Sequence, residues 1–248
     1  MDIDESLLEA PYPMPVTVSA HGVHTVHAVL LKTIKARTRL KGLPFTLHVA
    51  ESPEEIQYLK DGAGPMFDLL KQHGRDPARL KFPSKGPVAF LDDLGLLDEM
   101  TLLVHCVQLE EDELDIIESR GASICLCPRS NTFLGVGAPP VDQILSRRIN
   151  CAIGTDSLAS NDRLDIFSEM AVISTLSPNT PPSRIIEMAT IEGARALGLA
   201  HRFGSLAPHK TALFLAIRPP QLPKDPQALE ETIVGTGSRD GFEISVIR

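Results

Sequence analysis

The feature that most limits how this chain can fold is a repeating unit. A short apolar run ends near a polar residue, and a helical pattern follows. Residues 45–49 carry His48 and lead to Glu51. Residues 101–104 end at His105, residues 122–126 at the stretch CPRSN, and residues 151–153 at GTDS with Asp156. An earlier run, residues 15–20, ends at His21. The helical patterns cover residues 26–40, a segment capped by Ser52 with Glu54 and Glu55 in its first turn, and residues 110–120, 140–148, 164–175 and 182–197. Strand-like runs alternating with helical patterns predict a parallel α/β architecture. Residues 61–100 read as loops and short helices, and residues 211–217 and 242–247 as β.

Composition narrows the function. The 248 residues suffice for one large domain or two small ones, and a hydrophobic share of 43% supports a sizeable core. Lys plus Arg total 24 against 32 Asp plus Glu, a net charge of −8 without a basic block. Nucleic acid is therefore not an expected partner. No apolar run approaches the roughly 18 residues that span a bilayer. The opening MDIDESLLEA has neither a basic n-region nor an apolar h-region, so no secretory signal is read there. Cys106, Cys125, Cys127 and Cys151 lie in or beside apolar runs, as expected of reduced thiols in a cytoplasmic protein. The C-x-C pair Cys125 and Cys127 is expected on opposite faces of a strand rather than in a zinc knuckle.

His21, His48, His105, CPRSN and Asp156 all fall at the carboxyl ends of apolar runs. In parallel α/β barrels that end gathers the chemistry, because the loops there converge on the axis. One histidine at a strand end is most often structural; several polar ends in succession point to a site. Two imidazoles and a carboxylate suit a zinc-like ion.

VSAHGVHTV, LHVAES, LLVHCV, CPRSN and GTDSLASND resemble, in order and spacing, the amidohydrolase superfamily, and within it the triazine-hydrolase and nucleoside-deaminase branch. The later stretch IEGARALGLAHRFGSLAPHKTALFLAI resembles that branch's exit from its barrel into a small β-sandwich, so the likeness covers residues 14–217. It implies a partial (β/α)8 TIM-like barrel, strands four to eight, over residues 1–205, with a β-sandwich remnant over 206–248. It also implies one divalent ion, zinc or alternatively iron(II). His48 and Asp156 match metal ligands of the family, and Asp156 can also take a proton from the metal-bound water. His105 matches the residue that steers this water and is a further candidate ligand. Glu51 matches the glutamate that shuttles a proton to the substrate ring. His21 and Ser160 match substrate contacts. The implied reaction is release of ammonia from an adenine-type nucleoside or related N-heterocycle by metal-bound hydroxide. Guanine or chlorotriazine hydrolysis is the alternative within the branch, and a non-catalytic remnant the alternative outside it. The oligomeric state is open, with a homo-oligomer as one option.

The family opens its barrel with H-x-H on the first strand, and this sequence contains no H-x-H. Its first three strands have no counterpart here. The expectation is a fragment of a longer product, or a barrel completed by a partner, with His48 and Asp156 alone falling short of the usual three or four ligands. His21, His24 and His27 follow H-x-x-H-x-x-H, which spreads over about 200° of a helix, too wide for one ion. His24 and His27 are expected at the surface or in loops, and the run Glu110–Glu113 as a solvated helix start. Arg129, Ser130 and Asn131 are expected in a loop beside the site or in a simple turn. Asp162 and Asp165 are expected to cap the next helix. Residues 62–86 are a possible cover for the site.

Overall fold

Four strands form a parallel sheet in the order β1 (Phe45–Val49), β2 (Thr101–His105), β3 (Ser123–Leu126), β4 (Cys151–Ile153). The computed structural model describes residues 17–74 and 85–247. Nearly every strand side chain is buried or half-buried, which explains runs that are apolar throughout rather than alternating. Register aligns the strand ends: His48 lies opposite Val104, Val49 opposite His105, and Leu126 opposite Ile153.

The helices, in chain order, are α1 (Ala28–Leu40), α2 (Pro53–Asp61), α3 (Pro65–Gln72), α4 (Pro87–Asp93), α5 (Glu111–Arg120), α6 (Pro128–Leu134), α7 (Val141–Leu145), α8 (Ile166–Leu176), α9 (Pro182–Met188), α10 (Ile191–Ala196) and α11 (Pro226–Gly235). Local chemistry sets several ends. Ser52 accepts the Glu55 N–H at the start of α2, and left-handed Gly62 (φ 61°) ends it. Glu110 and Glu113 form a capping box at α5. The core joins Leu47, Leu103, Ile124 and Ile153 of the sheet to Leu31, Tyr58, Leu114 and Ile144 of the helices.

Several expectations are corrected. The run 15–20 begins outside the described residues, and its described part, 17–20, is not a regular strand. Thr17 and Ser19 instead donate side-chain hydroxyls to the carbonyls of Pro44 and Thr46, beside β1. One parallel bridge, Gly22 to His48, continues the alignment. The expected five-strand arc is thus four strands plus this flanking segment among the described residues. The helix expected over 182–197 is two helices, α9 and α10, separated by Thr190 in a non-helical conformation. CPRSN is not a loop: Pro128 opens α6 as its first residue, where a missing N–H costs nothing. Of residues 62–86, α3 is described, and 75–84 lie outside the described residues.

The C-terminal stretch contains α11, capped by Asp225 through the Ala228 N–H. This helix lies against α8 and α9 and buries Val234 in the common core. Phe242 packs on Phe167 with ring centroids 5.4 Å apart. β5 (Phe214–Arg218) and β6 (Glu243–Ile247) pair antiparallel in a separate two-stranded sheet.

Glu113 is not solvated as expected but only 2% exposed. Its carboxylate accepts the Val88 N–H at 2.9 Å, at the start of α4, and the Glu110 N–H at 3.3 Å. Burial pushes its pKa up, against the pull of those amides. Glu113→Ala leaves these amides without their partner, at about 2 kcal/mol. For a chain of this size the midpoint in a thermal melt is expected to fall by roughly 4–8 °C. A midpoint within about 1 °C of wild type would show that this carboxylate does not tie α4 to α5.

Candidate metal and active site

Strand ends bring the predicted residues together. His48 is on β1, and its Nδ1–H donates to the His21 carbonyl at 2.7 Å, leaving Nε2 for another partner. His105 ends β2 with a left-handed backbone (φ 75°) and is 1% exposed. Its Nδ1–H donates to Asn131 Oδ1 at 2.8 Å. His105 Nε2 then faces Glu51 Oε1 at 3.6 Å and Asp156 Oδ2 at 4.0 Å. One ligand atom from each of His48, His105 and Asp156 lies within 4.8 Å of the other two. The His21 and His48 ring centroids are 5.0 Å apart, and those of His48 and His105 5.1 Å.

Asp156 follows β4, also left-handed (φ 57°). Its Oδ2 accepts the Ser130 hydroxyl at 2.8 Å and the Ser160 hydroxyl in a shorter contact. Burial pushes the Asp156 pKa up, but the two hydroxyls and His105 outweigh it and hold it below the ordinary carboxylate value. The His21 pKa is lowered, first by burial and then by His48 and His24, so its imidazole is neutral at neutral pH. His21 Nδ1 lies 2.9 Å from Thr25 Oγ1.

The sequence reading placed Ser130 and Asn131 beside the site or in a turn without giving them a role, and it missed Glu169 and Asn161. Ser130 and Asn131, on the first turn of α6, touch Asp156 and His105 respectively. Glu169, fully buried on α8, accepts the Arg129 N–H at 3.0 Å and the Asn161 Nδ2–H at 2.8 Å. Asn161 also donates to the Thr155 carbonyl at 2.8 Å, so Glu169 ties α6 to the loop that carries Asp156. A hint lay in the spacing: the helix that begins just after GTDSLASND carries one acidic residue, Glu169, in an apolar segment.

Other expectations change here. Asp165 caps α8 through the Phe167 N–H, but Asp162 pairs with Arg129 instead. His27 is exposed, as expected, and caps α1 through the Val29 N–H. His24 lies in a turn, as expected, but its side chain is only 11% exposed, with Nδ1 3.7 Å from Glu55 Oε1. Cys125 and Cys127 do not point to opposite faces. Cys125 lies on β3 and Cys127 follows it just before α6, and both Sγ atoms crowd Gly154, where an added Cβ would lie 2.8 Å and 3.4 Å from them.

The amidohydrolase family model matches residues 9–241. The chain belongs to the amidohydrolase family. It is 32% identical over 223 residues to a 5-methylthioadenosine/S-adenosylhomocysteine deaminase of Syntrophobacter fumaroxidans, covering 86% of this chain and 46% of the relative. It is 33% identical over 216 residues to a 5'-deoxyadenosine deaminase of Methanothermobacter thermautotrophicus, covering 84% and 45%. Among solved structures, an adenosine deaminase from Xanthomonas campestris with bound zinc superposes with a TM-score of 0.75 at 27% identity, covering 98% of this chain and 52% of that one. The amidohydrolase chain described here therefore spans about half the length of the relatives it matches. Among its described residues, no helix is long and apolar enough to cross a membrane.

The two imidazoles and one carboxylate fit the donor set of a catalytic zinc-class ion. Asn131→Ala removes the anchor of the His105 ring. Zinc affinity of that variant, measured by competition with a chromophoric chelator, is expected to fall about 10–100-fold. Equal affinities would show that the ring is oriented by something else.

Proposed function

We propose that this chain is the site-bearing part of a metal-dependent aminohydrolase. It releases ammonia from an adenine-type nucleoside or a related N-heterocycle, a hydrolysis of C–N bonds in a cyclic amidine. The observation that carries the reading is the convergence of His48, His105 and Asp156, with Glu51 3.6 Å from His105 Nε2. The deaminase names of the relatives support the substrate class. In this reading residues 1–205 belong to the barrel and 206–248 to the sandwich segment, apart from α11, which packs on α8 and α9 of the barrel. The setting is the cytoplasm, supported by the buried free thiols of Cys106, Cys127 and Cys151.

His48, His105 and Asp156 would hold a zinc-class ion, whose chemistry would be to lower the pKa of a bound water to about 7. Asp156 stays anionic through the hydroxyls of Ser130 and Ser160, as a ligand requires. Glu51, its side chain 21% exposed, is open to the site and would relay both protons of the attacking water, the first to the substrate ring nitrogen as the C–O bond forms and the second to the amine as the C–N bond breaks and ammonia leaves. His105, its Nδ1–H anchored by Asn131, would present Nε2 to the ion at the edge of the reacting centre. His21 stands next to His48 on the flanking segment and, being neutral, can hydrogen-bond a substrate without placing a charge there. Ser160 shapes the substrate side through Asp156.

The test is ammonia release from 5'-deoxyadenosine by the zinc-loaded chain and its Glu51→Gln variant. The variant is expected to keep its zinc and lose roughly 10²–10⁴-fold in rate. Full turnover without the Glu51 carboxylate would remove the proton shuttle from the reading.

A further inference from the structure

Glu55 is fully buried, yet the chemistry above makes no use of it. It stands in the first turn of α2 beside Glu54, which is exposed and already answers the helix dipole. A carboxylate at zero exposure needs a stronger reason, because burying a charge is costly unless hydrogen bonds meet it. Here the partners are two consecutive amides: Ala50 N–H donates to Oε1 at 3.1 Å, and Glu51 N–H to Oε2 at 2.8 Å.

Those amides flank a strained point. Ala50 is left-handed (φ 52°), a conformation that crowds any residue with a Cβ. The kink does two things. It turns the chain off β1 so that Glu51 leaves towards the site. It also aims the Ala50 carbonyl at the N–H groups of Val107 and Gln108, at 2.9 and 2.8 Å. The preceding carbonyl, of Val49, accepts the Cys106 N–H at 3.1 Å. The turn that bears Glu51 and the turn after His105 are therefore stitched into one unit, and Glu55 grips it from α2. His24 approaches the same carboxylate, 3.7 Å away.

We propose that Glu55 is the positioning residue of the proton shuttle: by clamping two successive amides across left-handed Ala50, it sets the Glu51 carboxylate at its distance from His105 Nε2. This rests on the reading of Glu51 as the shuttle. A glutamine cannot replace it, because one of its two atoms donates where both amides need an acceptor.

The experiment compares zinc-loaded wild type, Glu55→Gln, Ala50→Gly, the double variant and Glu51→Gln, with 5'-deoxyadenosine as the probe. Glu55→Gln is expected to lower kcat by about tenfold or more while KM stays within about threefold, because a displaced carboxylate costs rate rather than binding. Glycine takes a positive φ without strain, so Ala50→Gly in the Glu55→Gln background is expected to restore most of the rate. Wild-type kcat in Glu55→Gln, or an equal loss in the double variant, overturns the proposal. If Glu55→Gln does not fold, the double variant is expected to fold; failure of both overturns it as well. A wild-type chain that releases no ammonia, or a fully active Glu51→Gln, refutes the shuttle on this substrate and leaves the clamp to be read from hydrogen exchange. Faster exchange at the amides of Ala50 and Glu51 in Glu55→Gln supports the clamp, and unchanged protection overturns it.

Discussion

The site depends on backbone held where L residues resist going. Ala50, His105, Cys106 and Asp156 all have positive φ, and all lie at the carboxyl ends of parallel strands. An extended strand alternates its side chains across the sheet, so straight continuations would scatter Glu51, His105 and Asp156. The left-handed residues turn these three towards one point. Such conformations persist only where surrounding structure over-determines them. Here the surroundings are the hydrogen bonds from Cys106, Val107 and Gln108 back to Val49 and Ala50.

A second constraint is electrostatic. Glu55, Glu113 and Glu169 are almost wholly buried, and each accepts backbone N–H groups near a helix start or a strand end. Each links two elements that the sheet alone would not fix: β1 with α2, α4 with α5, α6 with α8. The carboxylates that face the site, Glu51 and Asp156, keep partial exposure, at 21% and 19%. The amidohydrolase chain thus divides its acids into buried fasteners and partly exposed carboxylates at the candidate site. Burial raises the pKa of both Glu113 and Glu169, the cost carried by using a charged group as a fastener.

How far the sequence revealed this follows from what each residue type signals. β1 to β4 were legible because strands buried on both faces read as unbroken apolar runs. His48, His105 and Asp156 were legible because each closes or ends such a run. Ser52 and Asp165 announced helix starts, as short acceptors before apolar segments do. Proline was ambiguous: Pro128 reads equally as a stop or as a first helical residue, and α6 was lost to that ambiguity, with the roles of Ser130 and Asn131. The Asp225-Pro226 start of α11 carried the same signal and went unread. Charge misled in the other direction. Glu113 and Glu169 look like surface residues, because the Val88 and Arg129 amides they accept are distant in sequence. The burial of the His24 side chain within its turn went unread because its neighbour Glu55 is on another element.

The central claim is that imidazoles of His48 and His105 and the carboxylate of Asp156 hold one ion. Cys125 and Cys127, which crowd Gly154 two residues before Asp156, are the competing donors. X-ray absorption at the zinc edge of the zinc-loaded chain separates the two most directly. The account predicts nitrogen and oxygen neighbours alone, at about 2.0–2.2 Å, with the outer-shell scattering of imidazole. A sulfur shell at about 2.3 Å would contradict it.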